Sequence, residues 1–205
     1  MQYIELKKYL RDFIVFTQKD IKKFDGSFSR QNLNGWQKKG YIKKIIKGHY
    51  LFSDTEVNQN ILFLIGNKIY KPSYVSFESA LSYYKFIPES IFAITSANSR
   101  NTYTFKTHYG EFIYKKIKPE LMFGYKTLTN KNYSFNIAEE EKAILDYFYI
   151  KPHLKDTEDF EELRIDKKVF FEKVQTKKLE SYLKIFINKL LAKRTRRFIK
   201  YIKDA

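Results

Sequence analysis

The sequence predicts an α+β fold, in which a small helical module comes first and a larger mixed α/β domain that ends in helices follows. Two observations predict this order: apolar residues recur at helical spacing near both ends, and β-prone runs separated by glycine turns occupy the middle. The 205 residues suit two small domains, and Lys71-Pro72 breaks the chain between them. We therefore expect an amino-terminal domain over 1–66 and a second domain over 72–205.

The chain carries 39 basic and 23 acidic residues, which gives a formal net charge of +16. A hydrophobic content of 43% is too high for a disordered basic tail, so the chain is expected to fold. The charge is concentrated at the ends: residues 1–52 hold 12 basic and 4 acidic side chains, and residues 167–205 hold 13 and 3. Positive charge concentrated in this way creates an electrostatic field that attracts polyanions, so nucleic acid is the first partner to consider. A solvated lysine-rich surface without a partner explains the charge equally well.

The composition excludes several classes of protein. The chain has no cysteine, which excludes a disulfide scaffold, a thiolate zinc site, an iron–sulfur cluster and a cysteine nucleophile. Charged residues such as Lys7 and Arg11 lie where a signal peptide needs an apolar stretch, and the longest such run, 61–65, is too short to span a bilayer. We therefore expect a cytoplasmic protein that does not enter a membrane.

The first forty residues predict three helices. Apolar residues recur every three or four positions over 3–13, as in an amphipathic helix. Thr17 is a suitable N-cap for a short second helix that runs to Phe24. Ser27 is expected to cap a third helix over 28–39, with the following glycine marking its end.

A β-hairpin is predicted directly after the third helix. The segments 41–46 and 49–52 are β-prone, and Lys47-Gly48 forms the turn between them. Three helices followed by a hairpin is the element order of a winged helix-turn-helix, whose third helix enters the major groove while its wing contacts phosphate or a flanking groove. A winged module used for protein contacts is the alternative.

The predicted third helix has an apolar side and a polar side. Leu33 and Trp36 fall on one face, and Arg30, Asn34 and Gln37 fall nearly opposite. Arginine, asparagine and glutamine can bind guanine or adenine edges bidentately, while neighbouring lysines neutralise phosphates. The residues expected on these grounds to contact double-stranded DNA are Ser27, Arg30, Asn34, Gln37, Lys38 and Lys39 in the helix region, and Lys43, Lys44 and Lys47 in the wing.

The remainder of the chain predicts a mixture of helices and short strands. Helices are expected over 53–66 and 76–85. The acidic segment 156–162 is interpreted as a solvated helix start rather than a metal site, because it lacks histidine and an evident ligand-loop geometry. Strands are expected over 91–95, 102–108, 111–118 and 133–137, with helices from 138 and from 167 onward.

A series of short motifs follows the chain in a defined order: Gly40-Tyr41-Ile42, Lys47-Gly48-His49-Tyr50, Tyr74-Val75-Ser76, Glu78-Ser79-Ala80-Leu81, Gly110 with Tyr114, and Ala138 with Glu141-Lys142-Ala143 and Leu145-Asp146. In this order and spacing they resemble the AbiEi-type antitoxins of abortive-infection, type IV toxin–antitoxin systems. The similarity covers about residues 3–190, and no family motif matches 194–205.

The resemblance implies a bacterial cytoplasmic protein whose winged helix represses its own operon. It also implies a second domain that opposes a nucleotidyltransferase-like toxin, commonly without a tight complex. In this chain the implied DNA contacts are Ser29, Arg30, Asn34, Gln37 and Lys38, with Lys43, Lys44 and Lys47 in the wing. The motifs over 76–81 and 141–146 are interpreted as structural.

The sequence gives little support for an enzyme. The three histidines are scattered, no glycine-rich phosphate loop occurs, and Gly26-Ser27 begins like a nucleotidyltransferase signature without the paired carboxylates that such a site needs. We expect no catalytic residue, no metal and no cofactor. The alternatives are a metal-dependent nuclease that uses Glu78, Glu111 and Asp146 beside a winged DNA-reading module, a transcription factor outside any toxin–antitoxin pair, and an adaptor that binds proteins through its aromatic second domain.

Overall fold

The structure is a computed structural model that describes residues 2–88, 92–130 and 132–204. Its class is α+β, as predicted: a helical module with a three-stranded sheet comes first, a six-stranded sheet follows, and helices end the chain. Among the described residues, no helix is both long and apolar enough to cross a membrane. The expected strand start at Ile91 lies outside the described residues, and the strand that they contain begins at Ala93.

The helical module contains α1 (Tyr3–Tyr9), β1 (Phe16–Thr17), α2 (Gln18–Lys22), α3 (Arg30–Lys38), β2 (Ile42–Ile46) and β3 (His49–Phe52). Its strands are antiparallel, and β3 lies between β1 and β2. Leu6, Phe16, Leu33 and Trp36 are among the buried residues of its own hydrophobic core. Because α2 has only five residues, the packing of Ile21 into this core holds the helix rather than intrinsic propensity.

The caps of this module follow the prediction at one helix and differ at the next. Thr17 is the N-cap of α2, and its backbone N–H donates to Asp20 Oδ2 over 2.9 Å. The expected capping role of Ser27 is wrong. Its hydroxyl donates to Asp25 Oδ1 over 2.6 Å, and Ser29 caps α3 by accepting from the Gln31 N–H over 3.3 Å.

The six-stranded sheet is built from the middle of the chain. Its order is β6-β7-β5-β4-β9-β8, with parallel pairing between β5 and β7 and between β4 and β9. The elements are α4 (Gln59–Ile69), β4 (Ser73–Val75), α5 (Phe77–Tyr83), β5 (Ala93–Asn98), β6 (Tyr103–Thr107), β7 (Gly110–Lys116), β8 (Tyr125–Asn130) and β9 (Tyr133–Ala138), with a short 3₁₀ turn at Pro119–Leu121.

Helices cover both faces of this sheet. Ile94 and Thr95 are neighbours on β5 and therefore point to opposite faces. On the Ile94 side, Gly66 of α4 lies so close that an added Cβ would stand 3.5 Å from the Ile94 methyl group. On the other side, Thr95 Oγ1 accepts from the Ser79 N–H of α5 over 3.0 Å.

The described residues from 140 to 204 form five helices, α6 (Glu140–Ile150), α7 (Thr157–Glu162), α8 (Lys167–Lys173), α9 (Thr176–Phe186) and α10 (Lys189–Asp204). Phe198 of α10 lies among rings from three of the others, with centroid distances of 4.9 Å to Phe148, 5.4 Å to Phe160 and 5.8 Å to Phe170. The acidic segment is a helix start, as expected, because Asp156 and Asp159 form the capping box of α7. The helices and the sheet share one large core.

The helix expected over 53–66 begins later, at Gln59, and extends to Ile69. Asn58 is its N-cap, and Asn58 Oδ1 accepts from the Ile61 N–H over 3.1 Å. The apolar side chains of α4, such as Phe63 and Leu64, belong to the large core rather than to that of the helical module. This helix is therefore a layer of the six-stranded sheet.

The helical module also contacts this larger core directly. Val15, Ile45 and Leu51 are at most 6% exposed and belong to the large core, whereas Phe16 and Tyr50 belong to the core of the module. The three-stranded sheet thus has apolar side chains on both faces. It packs against the helices of its own module on one face and against the large core on the other.

Candidate nucleic-acid interface

The apolar side of α3 and two of its polar residues lie as the sequence predicts. Leu33 is 1% exposed and Trp36 is 8% exposed, and both pack into the core of the helical module. Arg30 and Asn34 are exposed on the other side. The side chains expected to contact DNA bases in these two positions are therefore available to a ligand.

The other polar residues in and around α3 differ in their exposure and in their hydrogen bonds. Gln37 is only partly exposed, and its amide donates one N–H to the Leu33 carbonyl of its own helix over 3.1 Å, which leaves its second N–H and its Oε1 for a base. Lys38 and Lys39 are exposed. Ser27 and Ser29 are also exposed, although their hydroxyls are engaged in the turn and the cap described above.

The sequence interpretation missed Gln31 and Asn32, which are also exposed on α3. Gln31 precedes Asn34 and Lys38 at the i, i+3 and i+7 spacing of one helix face. Glutamine is an adenine-binding side chain when it reaches the major groove. The sequence contained a signal for Gln31, because its amide side chain follows Arg30 directly. A helix that begins at Arg30 places Gln31 in its first turn.

The predicted hairpin is present and carries its lysines on the surface. β2 and β3 pair so that Ile46 lies opposite His49, which leaves Lys47-Gly48 as the turn, and Gly48 has a φ of +87° that favours glycine. Lys43, Lys44 and Lys47 are exposed. The pairing register shifts between Lys44 and Ile46, so both adjacent lysines are exposed while Ile45 is buried.

Charge on this surface is not neutralised within the described part of the chain. The ion pairs of the helical module there join Lys7 to Asp54, Arg11 to Asp12 and Lys23 to Asp20, and none involves Arg30 or the hairpin lysines. Unpaired exposed cations retain their full field toward an incoming phosphate. The interface formed by α3 and the hairpin is therefore electropositive.

The two motif regions of the second domain meet in a buried polar network. Lys142 and Asp146 form an ion pair one helical turn apart, and both side chains are fully buried. Asp146 Oδ2 accepts from the hydroxyls of Tyr74 and Ser76, each over 2.8 Å, and Lys142 Nζ lies 5.1 Å from the ring centroid of Phe123. The network joins β4 to α6.

Burial governs the protonation of this network. It lowers the pKa of Lys142 below its ordinary value, although the charge of Asp146 acts in the opposite direction. Burial and the charge of Asp146 raise the pKa of Tyr74 well above its ordinary value, so the phenol keeps its proton and donates it. The four side chains are fully buried and connect β4 to α6, so the network supports the packing of this helix against the sheet.

The acids of the alternative nuclease site are each engaged separately. Glu78 pairs with Lys151 over 2.9 Å, Glu111 pairs with Lys106 over 3.3 Å, and Asp146 is held in the buried network. Within 2–88, 92–130 and 132–204, no group of three or more histidine or acidic side chains is placed to hold a metal ion. The structure does not bring the three acids into one site.

No protein-family model matches the chain, and no curated protein matches it either. A functional assignment therefore depends on the residues of α3, the hairpin and the buried network.

Proposed function

We propose that this chain is a DNA-binding transcriptional repressor with a winged helix-turn-helix over its first fifty residues. The observation that carries the proposal is the exposed polar side of α3, with Arg30 and Asn34, together with the exposed lysines of the hairpin that follows this helix. The order helix–strand–helix–helix–strand–strand, with β3 in the middle of the sheet, is the arrangement that a winged helix requires. No catalytic step is needed for this function.

In this proposal α3 enters the major groove and the hairpin follows the flanking backbone. Arg30 binds guanine O6 and N7 through its guanidinium, and Asn34 binds adenine N6 and N7 through its amide. Lys43, Lys44 and Lys47 bind phosphates, which adds affinity without sequence preference and releases counterions.

The antitoxin part of the proposal depends on the motif resemblance. The chain would repress its own operon in the cytoplasm and oppose a nucleotidyltransferase-like toxin encoded beside it. The burial of the 74–76 and 141–146 motifs supports their interpretation as determinants of the fold of the second domain. Expressing the adjoining reading frame with and without this chain tests the pairing. The pairing is supported if the adjoining frame arrests growth when expressed alone and growth recovers when this chain is co-expressed. If the adjoining frame has no effect on growth, the proposal is reduced to a transcription factor outside any toxin–antitoxin pair.

Arg30→Ala and Asn34→Ala are each expected to lose about 1–3 kcal/mol of discrimination between the operator and a scrambled duplex, because each removes a bidentate base contact. Fluorescence anisotropy with the DNA upstream of the chain's own gene measures both affinities. Lys168→Ala, which removes an exposed cation from α8, is the matched control and should leave discrimination unchanged. Unchanged discrimination in both α3 variants would refute base reading by this helix.

Lys47→Ala is expected to weaken binding to operator and scrambled DNA alike, because a phosphate contact carries no sequence information. The slope of log affinity against log salt concentration should fall by about one unit. Anisotropy titrations at several salt concentrations measure this slope. If the slope of the variant equals that of the wild-type protein, the hairpin does not contact the backbone.

A further inference from the structure

Two cavities near the junction between the helical module and the six-stranded sheet share the exposed residues Lys68 and Lys71 in their linings. The first has a volume of 330 Å³, and Asn67, Ser73 and Tyr125 line it together with both lysines. The second has a volume of 480 Å³, and its lining includes the same two lysines. We call the two cavities together the Lys68 groove. Ligand pockets in proteins span about 300–1,000 Å³, so the groove has the size of a small-molecule site.

The groove is strongly basic. Its second cavity adds Lys19, Lys23 and His49 to the two shared lysines, and its acidic lining residue among those the structure describes is Asp20. That carboxylate is engaged in the cap of α2 and lies 3.4 Å from Lys23 Nζ. Desolvation and the charge of Lys71 hold the pKa of Lys68 below its ordinary value. A bound anion would relieve this repulsion.

The groove also has polar side chains without hydrogen-bond partners. Asn67 is 9% exposed and Ser73 is 8% exposed, and neither Asn67 Nδ2 nor Ser73 Oγ has a partner. The other amide atom of Asn67, Oδ1, accepts from the Asn136 N–H, which fixes the amide with its donor group free. Buried polar groups are normally paired, so a polar ligand that reached these two donor atoms would compensate them.

An aromatic ring lines the first cavity. Tyr125 stacks on Tyr74 with a centroid distance of 4.8 Å and an interplanar angle of 18°. Tyr74 is fully buried, whereas Tyr125 is 41% exposed, so Tyr125 covers Tyr74 on one face and presents its remaining surface outward. A tyrosine in this position offers a stacking platform for a planar ring.

We propose that the Lys68 groove binds a nucleotide, with its phosphate between Lys68 and Lys71 and its base against Tyr125. The lysine ammonium groups are attracted to the negative charge of the phosphate, and the Tyr125 ring can stack on the base. The free donor groups of Asn67 and Ser73 can hydrogen-bond to oxygen atoms of the phosphate or of the base. The groove is separate from the exposed side of α3, so the assignment does not depend on the function proposed above.

Isothermal titration calorimetry of the full chain with the four nucleoside monophosphates tests the assignment, with inorganic phosphate and the free nucleosides as separate probes. At least one monophosphate should bind, and the matching nucleoside and phosphate alone should each bind at least about tenfold more weakly. Lys68→Met and Lys71→Met should each weaken the nucleotide about tenfold or more, because each removes a charged contact. Lys168→Met, with the same charge change on α8, should leave binding unchanged.

Two further variants distinguish the two halves of the site. Tyr125→Ala should weaken the nucleotide about fivefold or more and leave the binding of phosphate alone unchanged. Ser73→Ala removes a hydroxyl that has no partner in the protein, so it should weaken binding without loss of thermal stability. Absence of binding by all four monophosphates would overturn the proposal. So would Lys68 and Lys71 variants that weaken only DNA binding, because the groove would then be part of the DNA surface.

Discussion

Asp146→Ala is expected to lower the free energy of unfolding by about 3–5 kcal/mol, because it leaves the buried Lys142 ammonium without its counter-ion. Tyr74 and Ser76 would also lose the acceptor of their hydroxyl groups. Urea titration followed by far-UV circular dichroism measures the loss. The fluorescence of Trp36, the single tryptophan of the chain, reports separately on the core of the helical module.

A double variant and an exposed pair provide the controls. Lys142→Met combined with Asp146→Leu should destabilise less than Asp146→Ala alone, because apolar side chains of similar length replace both buried charges. Glu140→Ala removes the partly exposed ion pair with Lys126 and should cost about 1 kcal/mol or less. If Asp146→Ala cost no more than Glu140→Ala, the buried network would not be a main support of the second domain.

Arg194→Met is expected to lower the free energy of unfolding by about 3 kcal/mol. The Arg194 guanidinium is the donor to three carbonyl groups at the end of α6 and in the segment after it: Phe148 O over 3.0 Å, Lys151 O over 2.9 Å and Leu154 O over 3.2 Å. Each buried acceptor that loses its donor costs about 1–3 kcal/mol, and the losses are not additive. The same urea titration measures the effect.

Arg196 provides the matched control on the same helix. Its guanidinium makes a bidentate contact with Glu180, at 2.9 Å and 2.7 Å, on the protein surface. Arg196→Met should therefore cost about 1 kcal/mol or less, because exposed ion pairs contribute little. If Arg194→Met and Arg196→Met lowered the free energy of unfolding equally, the carbonyl contacts of Arg194 would not be a source of stability for the carboxy-terminal helices.

The parts of the fold that the sequence predicts are those with strong local signals. Thr17 has both the residue type and the spacing to Asp20 that a capping box needs. Leu33 and Trp36 identify the buried side of α3 by helical periodicity alone. The turn at Lys47-Gly48 gives the hairpin, because glycine tolerates the positive φ of that position.

The parts that it does not predict depend on distant residues. β1 has two residues and exists because it pairs with β3 far along the chain. β8 contains alternating exposed and half-buried positions, so its apolar pattern is weak, and pairing with β9 holds it in the sheet. Arg194 lies in a run of basic residues and cannot be distinguished from Arg196 and Arg197 without the carbonyls that it contacts. The Lys68 groove combines α2, α4 and β8, which no single segment of sequence indicates.

Ile45 and Leu51 of the three-stranded sheet, together with Val15 directly before β1, belong to the larger core. Cutting the chain after this sheet would expose these side chains to water, so the isolated module is expected to self-associate or to lose stability. The same packing prevents the module from swinging on a tether. If two copies bind repeated half-sites, the contacts between their second domains therefore determine which separation between the half-sites can be bound.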